Sequence, residues 1–89
     1  MLIDFREMQL QKFDELARKI VNQPQQYIHF DSVSDFYKAP WLNEFPQGTH
    51  WYASGLDDGA EDFYAVIEYK NHALYIDQSS TLTVRFIIR

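Results

Sequence analysis

The chain has no cysteine in its 89 residues. That excludes a disulfide framework, a thiolate nucleophile and a cysteine-ligated zinc site. No apolar run approaches the roughly 18 residues that a membrane-spanning helix needs. Internal repeats, low-complexity tracts and linkers are lacking too. Basic residues are the minority, eight against thirteen acidic, for a net charge of −5. A phosphate-binding surface needs a basic face, so nucleic acid is disfavoured as a partner. A basic protein is better matched, because opposite fields speed encounter. The opening Met1–Glu7 has no basic stretch followed by an apolar one, so no secretory signal is expected. A cytoplasmic location fits this together with the missing cysteine.

What is present is apolar and aromatic: 46% hydrophobic residues, 17% Phe, Trp and Tyr. A disordered chain would be poorer in both. Residues 1–89 are expected to form a single domain, burying about 60–65% of the unfolded surface.

The N-terminal segment predicts an amphipathic helix. Leu10, Phe13, Leu16, Ala17, Ile20 and Val21 follow the spacing of one buried stripe. Asp14 with Arg18 and Glu15 with Lys19 are i,i+4 pairs on the solvated face. Asp4 and Glu7 form a capping-box pattern, which predicts a long helix; a strand over 2–5 with the helix starting near Gln9 is the alternative. Pro24 ends the helix near Asn22.

Tyr27-Ile-His-Phe30 reads as a short strand. Ser32 or Ser34 caps one helical turn through Phe36–Lys38, ending before Pro40. Residues 41–49 read as loop, with Pro46-Gln47-Gly48 as a turn, and His50–Ser54 as a strand. Gly55–Gly59 is a turn-rich connector.

From Phe63 onwards alternation predicts three strands. A turn at Asn71-His72 places Tyr69 opposite Leu74, and a three-residue loop Gln78-Ser79-Ser80 places Ile76 opposite Leu82. The buried face then holds Phe63, Ala65, Ile67, Tyr69, Leu74, Ile76, Leu82, Val84, Phe86 and Ile88. The fold class is α+β: an N-terminal helix packed on an antiparallel sheet that ends in a three-stranded β-meander.

The stretch from Pro24 to Asp62 stands apart. It holds all three prolines, all three glycines, both tryptophans, and seven carboxylates against Lys38 alone, while the flanks are nearly balanced. The Asp57–Asp62 run packs four carboxylates without the alternating spacing of a calcium loop, so no metal or cofactor is expected. His29, His50 and His72 have no ligand-like spacing and read as strand or turn residues. No nucleophile elbow, His-Glu motif or glycine-rich phosphate loop is present, so no enzyme is expected. What remains is carboxylates interleaved with large aromatics: Asp31, Asp35, Tyr37, Trp41, Glu44, Trp51, Tyr52, Asp57, Asp58, Glu61 and Asp62. Tyr and Trp bury large stiff areas at interfaces, and carboxylates accept bidentate bonds from arginine. These eleven residues are the candidate contact for a basic protein partner.

In order along the chain, Leu2-Ile-Asp, Phe13-Asp-Glu-Leu-Ala17, Pro24 with Tyr27 and Asp35, Trp41 with Phe45-Pro46, Asp58-Gly-Ala-Glu61 and Leu82–Ile88 are found. In that order the chain resembles barstar-type ribonuclease inhibitors, small immunity proteins of bacteria. The chain departs from that pattern at Tyr27-Ile-His-Phe, at Pro40, and at 63–76, where alternation reads as a hairpin and the family has a helix. The resemblance implies a barstar-like α/β fold as the alternative, with Asp35, Trp41 and Glu61 at a nuclease contact. The expected function is therefore a small acidic inhibitor, an immunity protein or antitoxin that occludes a basic partner such as a nuclease. A phage-encoded DNA-mimic decoy and a non-catalytic subunit of a homo-oligomer are the alternatives.

Overall fold

The amphipathic stripe does form one long helix. The computed structural model describes residues 5–23, 29–56, 59, 61–78 and 83–88. Helix α1 spans Phe5–Val21, with Glu7 in its first turn and Arg18 and Lys19 in its last, the signs that suit the helix dipole. Phe13, Ala17 and Ile20 are buried, and Leu10, Leu16 and Val21 pack partly buried around them. Phe5 being helical favours the longer of the two helix readings; Asp4, its cap candidate, lies outside the described residues, as does Pro24.

After α1 come a short helix α2 (Val33–Tyr37), a 3₁₀ helix (Pro40–Glu44), and four strands: β1 (His50–Ser54), β2 (Tyr64–Tyr69), β3 (His72–Asp77) and β4 (Thr83–Ile88). They form one antiparallel sheet in the order β1-β2-β3-β4. The class is α+β, with β2–β4 as the terminal meander. Residues 64–69, where the barstar-type pattern implies helix, are strand.

Two registers differ from expectation, and for one reason. Alternation fixes which face a residue takes, but registers two residues apart share their faces. The β2–β3 turn is Lys70-Asn71, which places Tyr69 opposite His72, Ile67 opposite Leu74 and Ala65 opposite Ile76. Lys70 takes φ 55°, the positive value required at the first position of primed hairpin turns. The shift puts His72 on the buried face, so it is no turn residue. The β3–β4 connection is odd as expected but spans residues 78–82, with Ile76 opposite Val84 and Leu74 opposite Phe86. Leu82, Ser79 and Ser80 lie outside the described residues.

The core lies between this inner face and the helical elements. Phe13 meets Phe45, Tyr69 and Phe86 at ring-centroid distances of 5.2, 5.9 and 6.3 Å. Farther along, Phe63 is flanked by Phe30 at 5.6 Å and Phe36 at 5.9 Å. Ile88, expected in the core, is instead exposed at the end of the terminal strand. Neither Asp14–Arg18 nor Glu15–Lys19 closes as an ion pair among the described residues. Asp14 accepts a 2.7 Å bond from His72 Nδ1, and the Arg18 guanidinium lies over the Phe86 ring.

The outer sheet face carries Tyr52, Tyr64, Tyr75 and Arg85, while the helices pack on the other side. Val66 and Ala73 are nevertheless buried there; Val66 lies between Tyr52 and Tyr75 in the register. The Tyr64 and Tyr75 rings are 6.2 Å apart. Burial raises the Tyr64 pKa, with Tyr52, Tyr75 and Asp77 adding to the rise and Arg85 opposing it.

Candidate functional site

The middle of the chain folds back on itself to build one end of the molecule. Ser32 caps α2: its Oγ accepts the Asp35 N–H at 3.0 Å. It also forms an isolated antiparallel bridge with Gly59. The connector is held by Leu56 N–H to the Glu61 carbonyl (2.9 Å) and Gly59 N–H to the Leu56 carbonyl (2.8 Å). Gly55 lets these backbones approach, since a Cβ there would stand 2.6 Å from the Gly59 carbonyl oxygen and 3.3 Å from Val33. Gly55→Ala is therefore expected to destabilise the fold by about 1–3 kcal/mol, read as a lower midpoint in urea unfolding.

His29 and Phe30 are not a strand, contrary to the reading of 27–30 as one; Tyr27 and Ile28 lie outside the described residues. A side chain does the pairing instead. Gln78 Oε1 accepts the Phe30 N–H at 2.8 Å, Gln78 Nε2 donates to the Phe30 carbonyl at 3.0 Å, and Gln78 N–H donates to the Phe63 carbonyl. One amide thus satisfies both backbone groups of Phe30, as a neighbouring strand would. Sequence reading missed this residue, because a glutamine beside a serine pair carries only a loop signal. Gln78→Leu is expected to cost about 1–3 kcal/mol for two lost bonds. It should also raise amide hydrogen exchange at Phe30.

The bridge sets the segment that carries Asp31 and Asp35 beside the one that carries Glu61 and Asp62, at the end of the sheet where β2 begins, and all four are exposed. His29 Nδ1 stands 3.7 Å from Asp31, and none of Asp35, Glu61 and Asp62 is paired with a basic side chain among the described residues. Asp57 and Asp58 lie outside the described residues. The Lys70 turn is at the opposite end of β2, roughly 20 Å along the strand. Exposed carboxylates so gathered give that end a negative field.

The aromatics divide among three places. Tyr37 is exposed at the end of α2, its hydroxyl accepting the Ala53 N–H of β1 at 3.0 Å. Trp41 packs half-buried with Phe30, Phe36 and Phe45, and Trp51 packs against the core from the inner face of β1. Tyr52, one residue on, faces outward and is exposed. Glu44 lies against α1, on a shallow depression that it lines with Lys12, Glu15, Leu16 and Lys19. The segment 41–49, read as loop, begins with the 3₁₀ helix, set by Pro40 at its first position. Its Gln47-Gly48 turn is as expected, with Gly48 at φ 96° and Thr49 bonded back to the Pro46 carbonyl.

Among the described residues no three His, Asp or Glu side chains converge as metal ligands, and no helix is long and apolar enough to cross a membrane. Comparison with protein-family models, curated proteins and solved structures finds no match to the chain.

Proposed function

We propose that this protein is a small acidic inhibitor, of the immunity-protein or antitoxin kind, that binds and occludes a basic protein such as a nuclease. The observation that carries the reading is the Ser32–Gly59 bridge. It draws carboxylates from two separate segments, Asp31 and Asp35 from one and Glu61 and Asp62 from the other, onto one exposed end. Carboxylates placed together accept bonds from the arginines and lysines that would otherwise hold substrate phosphates. Tyr37, exposed on the same short helix as Asp35 and with its hydroxyl held by β1, supplies a stiff apolar surface at the contact.

The experiment is affinity capture from the native host, followed by titration of the purified, basic captured protein. Asp35→Asn/Glu61→Gln/Asp62→Asn is expected to weaken binding by about tenfold or more. Glu44→Gln, beside Lys12 and Lys19 of α1, leaves it unchanged. Binding weakens as salt is raised. Equal affinity of the triple variant and the wild type would contradict the proposal.

A further inference from the structure

β4 is the terminal strand of the sheet and pairs with β3 alone among the described residues. Its other edge presents backbone N–H and C=O groups at alternate residues. A helix packs near each terminal strand, α1 on the inner face of β4 and α2 beside β1, but only on β1 does a side chain take an edge group, the Tyr37 hydroxyl accepting the Ala53 N–H. Free edges are ordinarily blunted by proline, lysine, a bulge or a covering segment. Val84-Arg-Phe-Ile-Ile88 contains no proline, pairs with β3 without a bulge, and carries a single charge, Arg85. Ile87 and Ile88 are 36% and 55% exposed.

We propose that β4 pairs with β4 of a second copy of this chain, antiparallel about a two-fold axis at Phe86, to make one continuous eight-stranded sheet. A two-fold axis requires a self-complementary strand, and the pairing must keep each face together. Centring the axis on Arg85 sets arginine against arginine. Centring it on Ile87 leaves only Phe86–Ile88 to pair within the strand. Centring it on Phe86 opposes Val84 to Ile88 and Phe86 to Phe86 on the inner face, and Arg85 to Ile87 on the outer. On the inner face apolar residues then meet apolar ones, and on the outer face the two arginines are kept from direct opposition. Charge favours the same edge. The carboxylate end lies where β2 begins, so antiparallel pairing at β4 turns the two carboxylate ends in opposite directions, while β4 itself carries Arg85, with Arg18 of α1 over Phe86. Two acidic chains joined at β4 keep their negative ends outermost.

The test is sedimentation equilibrium of the full chain. Wild type is expected at twice the monomer mass. Ile87→Lys opposes lysine to Arg85 of the other copy at two symmetric positions, and is expected to weaken the dimer by about tenfold or more. Arg85→Glu/Ile87→Lys turns both contacts into opposite-charge pairs and restores most of the loss. Both side chains are on the outer face and exposed, so far-UV circular dichroism is expected to be unchanged. A wild type that stays monomeric up to about 1 mM would overturn the proposal. So would a dimer indifferent to Ile87→Lys, or a double variant no tighter than the single.

Discussion

Phe13→Ala is expected to lower the free energy of unfolding by about 3–5 kcal/mol. Phe13 has no exposed surface, and its ring touches three parts of the fold: Phe45 after the 3₁₀ helix, Tyr69 on β2 and Phe86 on β4. Truncation forfeits the transfer energy of the ring and leaves a cavity that three elements would have to close together. A domain of 89 residues has a total stability of roughly 4–13 kcal/mol, so the loss is a large part of the margin. Thermal unfolding followed by circular dichroism should show a fall of about 15–30 °C. Phe5→Ala on the same helix, where Phe5 is 70% exposed, should change stability by no more than about 0.5 kcal/mol. Equal effects at the two positions would mean that α1 is not docked as described.

Asp14→Ala should cost about 1.5–3 kcal/mol, the range for a hydrogen bond to a charged group. His72 is nearly buried, and its Nδ1 lies 2.7 Å from Asp14 Oδ1. An ionised carboxylate only accepts, so the imidazole Nδ1 carries the proton in this bond. Removing the carboxylate strands that N–H among the Phe86 ring and its neighbours. The decisive form is a double-mutant cycle of Asp14→Ala with His72→Ala, expected to give a coupling energy of about 1–3 kcal/mol. Additive losses would show that the two side chains do not act as a pair. The bond joins α1 to the first residue of β3, 58 positions apart in sequence, so it also helps fix the hairpin register.

How much of this was legible in the sequence depends on the kind of signal. The α1 stripe was readable because Phe13, Ala17 and Ile20 repeat at helical spacing and all three are buried. The faces of β2, β3 and β4 were readable because parity survives any even shift of register. The register itself was not, since registers two residues apart share their faces, and the His72–Asp14 bond that helps to fix it joins residues far apart in sequence. Gln78 was invisible for the same reason: its amide acts on Phe30, 48 residues away. Trp41 and Trp51 have a composition that suits an interface, yet each is packed partly against the core. Large aromatics serve either end, and burial alone separates the two. The acidic end was legible as a charge imbalance, while the convergence of Asp31 and Asp35 with Glu61 and Asp62 depends on the long-range bridge from Ser32 to Gly59.

The measurement that tests the central claim most directly is a ¹⁵N–¹H correlation spectrum of the labelled protein, titrated with its purified basic partner. The largest amide shifts are expected on Asp31, Ser32, Asp35, Tyr37, Glu61 and Asp62, diminishing as salt is raised. Shifts concentrated instead on Tyr52, Tyr64 and Tyr75 of the outer sheet face, or on α1, with the acidic end unmoved, would contradict it.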